Sequence, residues 1–110
     1  MRLSSEIRDL LVRGERKKTR HLDVYLGTSP VPHCRLGLIV PKHGKRIVDR
    51  NLVKRRLREI GRRVALPRLD AAGHRLDFLV RARRSAYDVD FGTLESEVTG
   101  VVEELCSRSS

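Results

Sequence analysis

The sequence predicts an α+β sandwich, a small sheet with helices packed on one face. Three observations predict it. Stretches in which apolar residues alternate, the strand period, are interspersed with stretches in which they recur every three or four positions, the helical period. Their order is helix, strands, helix, strand, helix, so a helix links two strands. The chain has 110 residues, 39% of them hydrophobic, enough for one core and one domain spanning 1–110.

Each element carries its own signal. A first helix over 4–13 has Ile7, Leu10 and Leu11 as its apolar stripe, Ser4 or Ser5 as a cap and Gly14 as a stop. The basic stretch 15–20 reads as a loop or an irregular edge strand. Over 21–26, Leu22, Val24 and Leu26 face one way, and His21, Asp23 and Tyr25 the other. A turn-rich connection, 27–32, leads to a more buried strand over 35–40, closed by Pro41. The next helix runs over 47–65 and ends before Pro67, with a loop at 70–73. A strand follows over 75–82. The last helix spans 91–106, with Phe91, Leu94, Val98, Val101, Val102 and Leu105 inward and the acids Glu95, Glu97, Glu103 and Glu104 on its polar face. Asp88 and Asp90 precede or cap it. If the strands flanking the middle helix are parallel neighbours, a right-handed crossover is the default.

Charge carries the functional information. Lys and Arg number 24 against 14 Asp and Glu, a formal net charge of +10, which calls for an acidic partner, nucleic acid or an anionic membrane. No apolar run approaches the roughly 18 residues a membrane span needs. The N-terminus lacks a signal peptide's apolar centre, so a cytoplasmic protein without a membrane role is expected. Cys34 and Cys106 have no metal-ligand spacing and read as reduced structural thiols.

The cations concentrate on the middle helix. At 3.6 residues per turn Val53, Leu57, Ile60 and Val64 share one face. Asn51, Lys54, Arg55, Arg58 and Arg62 gather on another, with Arg50 at its edge. Like charges at i,i+4, such as Lys54 and Arg58, cost an isolated helix a few tenths of a kcal/mol. A polyanion recovers that cost and releases counterions. Lys42, Lys45 and Arg46, in the loop entering the helix, extend the same footprint, whereas Arg56 and Arg63 are outliers. The four histidines show no ligand geometry. Asp77, Asp88, Asp90 and Glu95 have no spacing that suggests a two-metal nuclease, so neither catalytic nor metal-binding residues are expected on this chain.

The stretch Arg35-Leu36-Gly37-Leu38-Ile39-Val40-Pro41-Lys42, followed by Val48-Asp49-Arg50-Asn51-Leu52-Val53-Lys54-Arg55-Arg56-Leu57-Arg58-Glu59, resembles the bacterial ribonuclease P protein subunit. That family's signature is an Arg-Asn-Arg core followed by Lys-Arg and a further Arg. Leu79-Val80-Arg81-Ala82-Arg83 resembles its next strand, and Gly14 and Tyr25 keep its N-terminal spacing, so nearly the whole chain is covered. The resemblance implies a four-stranded sheet with three helices, similar to a domain of ribosomal protein S5, and a left-handed β-α-β crossover through the basic helix. It implies that a large RNA is the catalyst, that magnesium ions bound mainly by that RNA hydrolyse one phosphodiester, and that the product is the mature 5′ end of a transfer RNA. The protein then binds the catalytic RNA, one to one, through Lys42, Lys45, Arg46, Arg50, Asn51, Lys54, Arg55, Arg58 and Arg62. It also binds the single-stranded 5′ leader of precursor transfer RNA in a groove lined by Ile7, Leu11 and Tyr25, with Arg16, Lys17, Lys18, Arg20 and His21 at its border.

Two departures stand out. Leu52 occupies the third position of the Arg-Asn-Arg core, and Arg56 is the neighbouring cation available to compensate. Ile7 and Leu11 stand where the family often has Phe, leaving Tyr25 as the remaining stacking surface. The alternative function, favoured by charge alone, is a ribosomal-type or generic RNA-binding protein with no part in cleavage. A self-sufficient protein nuclease is a third class, for which no acid/base pair is visible.

Overall fold

The structure is a computed structural model describing residues 4–108. Helix α1 is Ser4–Arg13 and leads directly into the short strand β1, Glu15–Lys18. Strands β2, Leu22–Thr28, and β3, Arg35–Ile39, follow. Helix α2, Ile47–Ile60, passes through a π-helical turn, Gly61–Ala65, into α3, Leu66–Ala71. Strand β4, Leu76–Ala82, a 3₁₀ turn, Arg84–Asp88, and helix α4, Phe91–Arg108, complete the chain. Because α2, the π turn and α3 are continuous, the architecture is three helical rods on a four-stranded mixed sheet.

The sheet order is β1-β2-β4-β3. β1 pairs antiparallel with β2, β2 antiparallel with β4, and β3 parallel with β4. The basic α2 is therefore the crossover between parallel neighbours, and β3 is an edge strand. Alternation along β2 and β4 sends two residue sets to opposite faces. Leu22, Val24, Leu26, Phe78 and Val80 form the main core with Val53, Leu57, Ile60, Leu69, Leu94, Val98 and Val102. Tyr25 and Leu79, on the opposite face, are covered by Leu10 with Ile7, Leu11 and Ile39 around them. The expectation of helices on one face is thus corrected: α1 covers the second face, because its stripe matches the odd-numbered residues of β2 and β4.

Two further boundaries differ from the sequence reading. The helical rod does not stop before Pro67. The Leu66 N–H reaches back five residues to the Gly61 carbonyl, and this wider π turn steps the ladder so that Pro67, which has no N–H, sits in the first turn of α3. Asp70 and Ala71 are accordingly helical, and the turn is confined to Ala72 and Gly73, the latter at φ +83°. The stretch after Gly14 is a paired edge strand. Its Lys17 Nζ lies 2.7 Å from Glu104 of α4, so the acidic face of the last helix is partly spent holding β1. The α4 cap is as expected: the Asp90 carboxylate accepts the Thr93 N–H at 2.8 Å and its hydroxyl at 2.7 Å, and these bonds hold its pKa low. Ser4 and Ser5 lie in the first turn of α1, and the residues before them are outside the described set.

A buried ion cluster ties the edge of the sheet to its centre. The Asp23 carboxylate accepts hydrogen bonds from Arg16 and Arg83, each at 3.1 Å. Burial pushes its pKa up, but the bonds from Arg83 and Arg16 outweigh burial and hold it below its ordinary value near 3.8. A lowered folded-state pKa gives stability that is present above the unfolded value and is lost as pH falls through the folded one. Asp23→Asn should therefore destabilise most at neutral pH, and its gap from the unaltered chain should close as pH drops through the carboxylate range. Urea denaturation across that range checks this; a gap that is constant with pH would contradict it.

Candidate nucleic-acid interface

The solvent face of α2 follows from its period. With Val53, Leu57 and Ile60 buried, Asn51, Lys54, Arg55, Arg58 and Arg62 are all exposed. Lys54, Arg58 and Arg62, one turn apart, form one wall of a groove of about 380 Å³ whose other wall is Leu36, Gly37 and Leu38 of β3, with Leu66 at its end. Close approach of the rod to β3 depends on Gly61, whose missing side chain makes room for Leu36. Among the described residues no carboxylate pairs with Lys54, Arg55, Arg58 or Arg62, whereas Arg46 pairs with Asp49 at 3.3 Å and Arg63 with Glu59 at 3.5 Å. The row is thus an uncompensated line of positive charge beside an edge strand.

The other predicted cations are placed differently. Lys42 and Arg46 are exposed, in a turn made by His43 at φ 48° and Gly44 at φ 75°. Lys45 is half-buried, its Nζ 4.0 Å from Asp88 and 5.8 Å from the Tyr87 ring centroid. Arg50 is half-buried and donates to the Val40 carbonyl at 3.3 and 3.4 Å, so it anchors the helix to the end of β3 as well as adding charge. Arg56 donates to the Val89 carbonyl at 3.1 Å, which commits it to the connection before α4 rather than to replacing the cation absent at Leu52.

The second candidate surface is the α1 face of the sheet. Ile7 and Leu11 are half-buried at the margin of the cluster beneath α1. Tyr25 is only 7% exposed, enclosed by Leu10 and Leu79 with Arg16 5.9 Å from its ring centroid. The stacking surface expected at Tyr25 is therefore corrected to a core position under α1. Register puts Lys18, Asp23, Arg81 and Ile39 in one row across this face. Lys18 and Arg81 are exposed, and Asp23 is already engaged by Arg16 and Arg83. The sequence reading places Arg81 in a strand and in no site, although its position two residues beyond Leu79 puts it on the Tyr25 side.

Of the acids weighed as a metal cluster, Asp77 is bound by Arg35 through bonds of 2.7 and 2.8 Å, and the same guanidinium reaches Glu6 at 2.7 Å. His21 sits between Ser85 Oγ at 2.7 Å and Glu97 at 3.8 Å; Glu97 also accepts the His21 N–H at 2.8 Å and the Thr19 hydroxyl. These are links between elements. Among the described residues no three His, Cys, Asp or Glu side chains are arranged to hold a metal. Cys34 is buried and Cys106 half-buried. Cys34 Sγ accepts the Leu76 N–H at 3.4 Å and donates to the His74 carbonyl at 3.2 Å, a structural use. No helix among the described residues is long and apolar enough to cross a membrane.

A mixed sheet whose crossover helix presents an uncompensated row of cations beside the edge strand defines a small basic α+β protein suited to a polyanion. The chain belongs to the ribonuclease P family, which it matches over residues 1–106. The ribonuclease P protein component of Acidothermus cellulolyticus is 34% identical over 107 residues, covering 96% of this chain and 86% of that one. That of Syntrophobacter fumaroxidans is 39% identical over 59 residues, covering 54% of this chain and half the length of the relative. The Staphylococcus aureus RNase P protein superposes with a TM-score of 0.79 over 96% of this chain and 93% of that one; at 23% identity this likeness concerns the fold. Family membership implies an RNA partner and a part in transfer RNA 5′ processing.

Proposed function

We propose that this chain is the non-catalytic protein subunit of a ribonuclease P. It binds one catalytic RNA through α2 and the loop before it, and the 5′ leader of precursor transfer RNA on the α1 face of the sheet. The observation that carries the reading is the Lys54, Arg58 and Arg62 row lining the groove against β3. Such a row neutralises successive phosphates and gains counterion release, and phosphate contacts orient an RNA without reading its sequence. The chemistry belongs to magnesium ions held mainly by the RNA, with the protein acting by placement in the cytoplasm.

The leader reading takes a different form from the one the sequence suggested. With Tyr25 buried, the open part of the face offers Lys18 and Arg81 as cations and Ile7, Leu11 and Ile39 as apolar margin. It holds a single strand by charge and shape more than by base stacking. The test is the ratio of dissociation constants for precursor and mature transfer RNA, measured with RNA alone and with the reconstituted complex. The chain should lower the constant for precursor and leave that for mature transfer RNA nearly unchanged. Equal effects on both would leave only general RNA binding.

A further inference from the structure

A second hollow lies on the flank of α2 away from the cation groove. It has a volume of about 170 Å³ and is lined by Lys45, Asp49, Leu52, Val53, Arg56 and Tyr87. An engineered apolar cavity of about 150 Å³ takes one benzene ring, so this hollow is sized for a single aromatic ring system. Its chemistry is divided in the way a nucleobase is. Tyr87, Leu52 and Val53 supply flat and apolar walls; the Asp49 carboxylate accepts, and Lys45 donates, at the edges, with Arg56 held against the Val89 carbonyl beside them. Tyr87 is held in place by its hydroxyl, which donates to the Pro41 carbonyl at 2.6 Å, and by an edge-on contact with His43 at 6.2 Å between ring centroids.

The mouth opens beside residues that already belong to the RNA footprint. Lys45 lies in the basic loop and also lines the hollow. Leu52 is 39% exposed, and Val48, one turn earlier, is 65% exposed, so apolar side chains face solvent on a helix that otherwise presents cations. An exposed leucine one helical turn before Arg55 and Arg56 is of no use to a phosphate, but it covers the face of a base. We propose that this hollow takes one unpaired nucleobase of the RNA partner, stacked against Tyr87 and hydrogen-bonded at its edge by Asp49. The inference rests on the reading of α2 as an RNA interface and adds to it a contact that is not electrostatic.

The experiment measures binding of the chain to the ribonuclease P RNA of the same genome at several salt concentrations. Tyr87→Leu removes the ring, whereas Tyr87→Phe keeps it and loses the hydroxyl with its bond to Pro41. Stacking releases no counterions, so Tyr87→Leu should weaken binding about fivefold or more at every salt concentration, with the slope unchanged. Tyr87→Phe should stay within about twofold of the unaltered chain, since the base–ring contact survives. Normal binding by Tyr87→Leu, an altered slope, or an equal loss in Tyr87→Phe would overturn the site. Absence of salt-dependent binding by the unaltered chain would overturn the RNA reading itself. A second readout does not depend on how Tyr87→Leu folds. The chain has two tyrosines and no tryptophan, so in a Tyr25→Phe chain the emission comes from Tyr87 alone. Saturating RNA should quench it, and unchanged emission would overturn the proposal.

Discussion

Replacing Lys54, Arg58 and Arg62 together with alanine should weaken binding to the ribonuclease P RNA by at least about tenfold at low salt. It should also flatten the dependence of log K on log salt by about two to three units, because each phosphate neutralised contributes about 0.7–0.9 to that slope. The three side chains are exposed and have no carboxylate partner among the described residues, so thermal stability should hardly change; removing the mutual repulsion of Lys54 and Arg58 should even help slightly. Salt titrations of the variant and of the unaltered chain make the comparison. An unchanged slope would show that the groove between α2 and β3 is not where the RNA lies. Arg50→Ala is a less clean probe, since it also removes the guanidinium that caps the Val40 carbonyl.

The largest effect on stability is expected from Gly14→Ala. A Cβ there would lie 2.5 Å from the Leu10 carbonyl oxygen and 2.9 Å from the Leu26 carbonyl oxygen. Both are backbone atoms, one in α1 and one in β2, and neither can swing aside as a side-chain tip can. The chain turns from α1 into β1 at this point, so relief requires α1 to lift from the sheet and uncover Leu10, Tyr25 and Leu79. Overpacking of this kind costs about 1–3 kcal/mol. Urea denaturation should show the lower midpoint, and amide exchange should be fastest in α1. A midpoint equal to that of the unaltered chain would mean that the helix-to-strand turn is more pliable than its contacts indicate.

Much of this architecture is legible in the residues because its causes are local. The alternation of Leu22, Val24 and Leu26 and the spacing of Val53, Leu57 and Ile60 each define a face without knowledge of any partner. The same spacing makes the exposed set on α2 readable. The sequence misled where the decisive contact is distant. Tyr25 alternates with core residues and so looked outward, yet α1 folds back across it. Pro67 reads as a terminator because a proline breaks an ordinary α ladder, but the π turn from Gly61 absorbs it. The engagement of Arg56 by the Val89 carbonyl and of Tyr87 by the Pro41 carbonyl joins residues 33 and 46 positions apart, and periodicity carries no trace of either.

The central claim is that this chain places RNA and does not itself cut it. The most direct measurement is cleavage of a precursor transfer RNA across a magnesium titration, with the chain alone, the ribonuclease P RNA alone, and both together. The account predicts no cleavage by the chain alone at any magnesium concentration, slow cleavage by the RNA alone that requires high magnesium, and efficient cleavage by the two together at much lower magnesium. Removal of the 5′ leader by the chain in the absence of the RNA would contradict it.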